Sequence, residues 1–298
     1  IRDRMQTRQL GDTGISVSAL GFGAMQIGDP RIPEKQAEQL LNGVLDLGIT
    51  LIDTARSYGS SEQRIGRYLA HRRDEFILST KVGYGVEGCR DWTYDCVRRG
   101  VDEARDRLRT DLIDIVHLHS CPHQTLADTG VVDALDEARS TGSVRATAYS
   151  GDGADLEWAV RSDRFDSVQL SYNICDRSNL AGTFAEPAVT PPGVLAKRVL
   201  AGAPWSTAVP SDDTPEAQYR RRFELLRDHI TAPQDWADLA LRFCAFADGV
   251  DSALSGSLNL RHLESNVASL GRGPLSLEQM AQLGRAYNAV GSQWTSIV

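Results

Sequence analysis

The sequence predicts an α/β fold closed as a single (β/α)8 barrel, and three observations carry that prediction. Short apolar runs of β character alternate with longer amphipathic stretches, eight such runs can be counted, and chemically capable side chains stand at or just past the ends of three successive ones. Alternation on this scale means parallel strands joined by crossover helices. Eight strands favour closure over the alternative, an open doubly wound sheet. A chain of 298 residues holds one such barrel, which typically takes about 250.

Taken in chain order, the strands are expected at 17–21, 49–52, 76–79, 112–118, 144–149, 167–170, 193–196 and 250–254. The helices between them are expected at 33–47, 61–70, 93–107, 130–141, 153–161, 215–230 and 236–247. In 61–70, Ile65, Gly66 and Leu69 fall at helical spacing and Glu62 places an acid near the N-terminus, although Ser61 with Arg64 makes no capping box. In 153–161, Leu156, Trp158, Ala159 and Val160 gather on one face. The stretch 181–215 differs: Pro187, Pro191, Pro192, Pro204, Pro210 and Pro215 make it mostly loop around one strand. Long loops on the catalytic face of a barrel are where substrate specificity resides. No internal repeat or low-complexity linker divides residues 1–298, so one domain is expected.

Composition narrows the function. Hydrophobic content of 41% and charged content of 24% are ordinary for a globular protein. A net charge of −8 argues against a broad nucleic-acid or anionic-membrane surface, so an anionic ligand would need a local basic pocket. Cys89, Cys96, Cys121, Cys175 and Cys244 are odd in number, scattered and without a CxxC, which suits reduced thiols. Cys121 with His123 does not make a zinc site, and no metal is expected. The opening IRDRMQTRQLG is polar, and no apolar stretch reaches the roughly 20 residues that cross a bilayer. A cytoplasmic chain is the expectation.

The candidate catalytic residues are Asp53 and Tyr58 in LIDTARSYGSSEQRIG, Lys81 closing FILSTK, and His119 closing IDIVHLH. A phenol is a poor acid at neutral pH unless a nearby ammonium stabilises the phenolate. A buried ammonium needs a counter-charge, and an imidazole can orient a carbonyl oxygen or relay a proton. In that scheme Tyr58 donates the proton, Lys81 tunes it, Asp53 holds Lys81, and His119 completes the polar end of the pocket. His117 shares a strand face with His119, one layer deeper, as a satisfied interior histidine or as a partner tuning His119 or Lys81.

These stretches resemble the aldo-keto reductases. IDTARSYGSSEQRIGRYL, STKVG and TDLIDIVHLHS are similar to that family's three catalytic segments, and LGDTGISVSALGFGAMQIG to its opening β-hairpin and first strand. SVRATAYSGDGADL and DSVQLSYNICDR resemble strands five and six, and SGSLNLRHLESN the C-terminal nucleotide-binding stretch, so the likeness runs from about Arg8 to about Leu270. The resemblance implies a TIM barrel that binds a nicotinamide dinucleotide, usually NADPH with NADH possible. It places Gly23, Ala24 and Met25 along the cofactor, and Ser150 and Gln169 on the nicotinamide carboxamide. Gly256, Ser257 and Asn259 would begin a helix whose amides suit a phosphate, with Arg261, His262 and Asn266 reading the adenosine end.

Departures from the family pattern accompany these matches. Gly151 replaces a common asparagine and Gly256 a common lysine, and no aromatic residue follows strand seven until Trp205. Lys197 and Arg198 fall where the stacking segment belongs and are expected on the pyrophosphate instead. Candidate pocket residues are Met25, Tyr84, Trp92, His123, Asn173, Trp205 and Trp294. The implied activity is NADPH-dependent reduction of a small-molecule aldehyde or ketone. A cofactor-binding regulatory subunit is the alternative, and a Schiff-base aldolase using Lys81 is disfavoured because Asp53 keeps that lysine charged. Neither the carbonyl substrate nor the oligomeric state is readable.

Overall fold

The computed structural model describes residues 5–128, 130–183, 191–206, 211, 214–231 and 233–297. Strands β1 (Thr7–Gln9) and β2 (Ser16–Ser18) form an antiparallel hairpin. Eight parallel strands follow: β3 (Leu20–Gly23), β4 (Leu51–Asp53), β5 (Ile77–Val82), β6 (Ile113–His119), β7 (Val144–Ser150), β8 (Ser167–Ser171), β9 (Gly193–Lys197) and β10 (Ser252–Ser255). They close into a barrel in the order β10-β3-β4-β5-β6-β7-β8-β9. The described helices are α1 (Glu34–Asp46), α2 (Ser61–Leu69), α3 (Tyr94–Leu108), α4 (His123–Asp128), α5 (Val131–Ser140), α6 (Gly153–Arg161), α7 (Ser178–Thr183), α8 (Pro215–Arg227), α9 (Trp236–Ala245), α10 (Leu260–Gly271) and α11 (Leu277–Val290).

The expected strand at 17–21 is two strands. Ser18 ends the hairpin, and its hydroxyl donates to the Leu20 carbonyl while accepting from the Thr50 and Leu51 amides. A polar side chain at that point lets the chain bend at Ala19 and enter the barrel. Helices α4, α7 and α11 were not expected, and α11 carries a full capping box between Ser276 and Gln279. Among the described residues flanking β9, 191–192 and 198–206 are loop as expected, α7 reaches to Thr183, and Pro187 and Pro210 lie outside the described residues.

Strand alternation sorts the barrel interior into levels. Leu51, Ile115, Ala146, Ala148, Leu195 and Leu254 form an apolar floor with Leu10, Ile15 and Val17 of the hairpin segment. The Arg8 guanidinium donates to the Ala245 and Val250 carbonyls and fastens that hairpin beneath the barrel. Above the floor the inward positions turn polar, with Ser79, Lys81, His117, Ser150 and Gln169 all buried. The outward residues of the same strands, among them Ile52, Leu78, Val116, Leu118 and Val168, join the larger core under the helices. Apolar packing below and outside therefore supports a polar cluster at the C-terminal mouth.

Candidate active site

Asp53 ends β4, Lys81 stands in β5 and His119 ends β6, so three adjacent parallel strands deliver an acid, an amine and an imidazole to the C-terminal mouth of the barrel, with Asp53 level with Ser79 and Lys81 level with His117. Lys81 Nζ donates to Asp53 Oδ2 at 2.6 Å and to the Thr54 carbonyl at 2.7 Å. Asp53 Oδ1 also accepts from Ser79 Oγ at 2.8 Å and Gln169 Nε2 at 3.0 Å. Tyr58 lies in the loop before α2, and Lys81 Nζ is 5.0 Å from the centre of its ring. The His119 ring meets the Tyr58 ring edge-on at 6.0 Å. The four expected catalytic residues are thus brought together.

The loop holding Tyr58 is fixed by a close backbone approach. A Cβ on Gly28 would fall 1.7 Å from the Tyr58 carbonyl oxygen, and Gly59 takes a φ of +53° against the same segment. The Ser60 amide donates to the Gly28 carbonyl across that contact. Only glycine suits both places, so the phenol is carried on a braced turn.

Opposed forces set the charges. Burial pulls the Lys81 ammonium down, but the Asp53 carboxylate and then the Tyr58 phenol outweigh it, and Lys81 stays above the ordinary lysine value. Burial pushes Asp53 up, but Lys81, His117 and the hydrogen bond from Ser79 hold it below the carboxylate range. The pair is therefore ionised at neutral pH. Burial first, then the ammoniums of Lys81 and Lys197, hold His119 down at about 3, so its imidazole is neutral. His117 is also held at about 3, by burial and then by Lys81. Its Nε2 lies 3.0 Å from Ser79 Oγ, whose hydroxyl bridges to Asp53, while Nδ1 has no hydrogen-bond partner among the described residues.

The expected cofactor residues divide into two groups. Ser150 Oγ donates to Gln169 Oε1 at 3.0 Å, a buried polar pair joined through Gln169 to Asp53. Gly23 ends β3 and Gly256 follows the neighbouring β10 so closely that a Cβ on Gly256 would lie 2.6 Å from the Gly23 oxygen. Ala24 is buried there and Met25 is exposed. Gly256 to Asn259 precede the helix rather than begin it: Asn259 is the N-cap of α10, Ser257 Oγ accepts from the Asn259 amide, and His262 Nδ1 is 3.1 Å from that hydroxyl. Arg261 and His262 are exposed on the first turn. These residues fit a dinucleotide: a polar Ser150–Gln169 pair at the barrel mouth, a close backbone approach of Gly23 and Gly256 with no side chain in it, and a helix N-terminus beyond.

The second group is turned to protein partners. Lys197 Nζ donates to Asp152 Oδ2 at 2.8 Å, and Arg198 donates to the Ile297 carbonyl at 2.8 Å, so both residues expected on the pyrophosphate hold protein partners in this structure. Asn266 is buried and donates to Ser255 Oγ, tying α10 to β10. Several expected pocket walls are packing or structural residues instead. Trp205 packs edge-on against Phe223, Trp294 against Tyr287, Asn173 donates to the Arg198 carbonyl from a fully buried turn, and His123 pairs with Asp155. Sequence reasoning missed Ser79, whose position two residues before Lys81 on the same strand face was the available signal.

Among the described residues no group of His, Cys, Asp and Glu is placed to hold a metal ion, and no helix is long and apolar enough to cross a membrane. Comparison with known proteins agrees with the geometry. L-galactose dehydrogenase of Arabidopsis thaliana is 27% identical over 287 residues, covering 90% of this chain and 88% of its own length. L-glyceraldehyde 3-phosphate reductase of Escherichia coli (strain K12) is 28% identical over 326 positions, covering 94% and 92%. The structure of aldo-keto reductase AKR11C1 from Bacillus halodurans, in its holo form, superposes with a TM-score of 0.83 at 27% identity, covering 97% of this chain and 99% of that one. Residues 19–288 match the model of the Aldo/keto reductase family, and the chain belongs to that family as an NAD(P)H-dependent oxidoreductase.

Proposed function

We propose that the protein reduces an aldehyde or ketone to an alcohol with NADPH, using Tyr58 as the proton donor. The observation that carries this is the Tyr58 ring beside a fully buried, charged Lys81 at the barrel mouth. Bound nicotinamide supplies hydride chemistry at that mouth. The Tyr58 hydroxyl passes its proton to the carbonyl oxygen as negative charge gathers there. Lys81, kept protonated by Asp53, stabilises the phenolate left behind. Neutral His119 hydrogen-bonds the same oxygen and holds it toward Tyr58.

Ser150 and Gln169 would receive the nicotinamide carboxamide. Gly23, Ala24, Met25, Gly256 and Ser257 would line the cradle, and the N-terminus of α10 capped by Asn259 would face a phosphate. Arg261 and His262, exposed on its first turn, support NADPH over NADH, with Asn266 beneath them. The five cysteines are all unpaired, which suits a reducing cytoplasm. The names of the relatives point to hydroxylated aldehydes and aldoses as the first substrates to try.

Tyr58→Phe tests the mechanism. The variant is expected to bind NADPH normally, by protein fluorescence, while carbonyl reduction falls by roughly 10²–10⁴. Unchanged turnover refutes the role of Tyr58. A wild-type protein that binds NADPH yet reduces no carbonyl of a broad panel would be a cofactor-binding regulatory subunit instead.

A further inference from the structure

We propose that Tyr84 is a positioning residue for His119: its hydroxyl donates to Nδ1 and fixes the imidazole as the tautomer protonated on Nε2. The proposal rests on the reading that His119 hydrogen-bonds the substrate carbonyl. A carbonyl oxygen accepts and cannot donate, so a neutral imidazole helps it only if the nitrogen facing it carries the proton. Which nitrogen does so is set by the partner of the other one.

That partner is Tyr84. The Tyr84 oxygen lies 2.8 Å from His119 Nδ1, and the two rings stack with centres 5.6 Å apart. A phenolic O–H is a strong donor and an imidazole lone pair a strong acceptor, so O–H to Nδ1 is the better pairing, and the ring proton moves to Nε2. The Tyr84 hydroxyl is also within donating distance of Ser57 Oγ, at 3.2 Å, but the imidazole nitrogen at 2.8 Å is the nearer and more basic acceptor, so the phenolic proton goes to His119. The His119 ring is neutral, as its surroundings require, so one proton is shared between two nitrogens and the choice matters.

Tyr84 is itself held in place. Trp92 packs edge-on against its ring at 5.5 Å, and the Trp92 amide donates to the Gly83 carbonyl at 2.8 Å. The Gly85 amide donates to Asp91 and its carbonyl accepts from Arg56. Trp92, taken from sequence as a pocket wall, thus braces the tyrosine that sets His119.

The test compares wild type, Tyr84→Phe, His119→Ala and the double variant. With ¹⁵N-labelled histidine, the cofactor-free wild type is expected to show the His119 ring, identified by its loss in His119→Ala, protonated on Nε2. Tyr84→Phe is expected to show a mixture of both tautomers. On a carbonyl that the wild type reduces, Tyr84→Phe is expected to lose about 10-fold in kcat with KM little changed, the scale of one hydrogen bond. The double variant is expected to lose no more than His119→Ala alone. Wild-type protonation on Nδ1, an unchanged tautomer in Tyr84→Phe, or additive losses in the double variant would each overturn the proposal. Should no carbonyl be reduced at all, the proposed function fails while the tautomer measurement still decides the role of Tyr84.

Discussion

Replacing Asp53 with asparagine should both destabilise the barrel and reverse the pH dependence that Lys81 imposes on it. The side chains of Lys81 and Asp53 are 0% and 5% exposed and 2.6 Å apart. Removing one partner of a buried ion pair costs about 3–5 kcal/mol, because the other charge is left without compensation. The carboxamide introduced by Asp53→Asn can still meet Ser79 and Gln169, so the loss falls mainly on Lys81. In the wild type, Asp53 lies below its unfolded value, so its contribution is present above the ordinary carboxylate range and lost as pH falls through the folded value. Lys81 lies above its unfolded value, so its contribution is present below that value and lost as pH rises through the folded one. Stability from this pair is therefore flat between about pH 6 and pH 9. Without Asp53, burial becomes the winning influence and Lys81 falls below its unfolded value. The unfolded chain then binds more protons, and stability rises with pH by up to about 1.4 kcal/mol per unit until the lysine of the unfolded chain titrates. Urea unfolding of the cofactor-free protein across that range measures both effects. Parallel pH curves separated by less than about 1 kcal/mol would refute the reasoning, and Asp53→Asn with Lys81→Met should recover part of the loss.

Two further outcomes follow from other parts of the molecule. Ser276→Ala removes the reciprocal cap of α11 and is expected to cost about 1 kcal/mol, read from the urea midpoint. In the native protein Cys89 is expected to react first with a thiol reagent, because the other four cysteines are buried and burial pushes Cys121 and Cys175 up to about 12. Fast modification of any other cysteine without loss of structure would contradict the packing.

The barrel was legible where its strands are buried on both faces. The run Gly193 to Ala196 reads as a continuous apolar segment because Leu195 meets the floor and Val194 and Ala196 meet the core under the helices. The first strand misled because Val17 belongs to the hairpin floor and Leu20 to the barrel, two environments with the same preference for apolar residues. Asp53, Tyr58, Lys81 and His119 were legible because strand ends fix where side chains emerge. The direction a side chain takes afterwards was not. Lys197 finds Asp152 and Arg198 finds the Ile297 carbonyl across long separations in sequence, and no local pattern records such partners. Tyr84 was expected as a pocket residue and not as a partner of His119 for the same reason: His119 lies on the next strand.

The hairpin floor carries a demand on synthesis. Ser252 donates to the Ser18 carbonyl across 234 residues, and β10 is the strand that seals β3. At a translation rate of about 5–20 residues per second, the earliest strand waits on the order of ten to fifty seconds for its neighbour to leave the ribosome. Until the end of that interval the cover over Leu10, Ile15 and Val17 lacks Leu254, and β3 offers one unpaired edge to any passing chain. A nascent polypeptide of this design gains from a chaperone that shields residues 10–23 until β10 arrives.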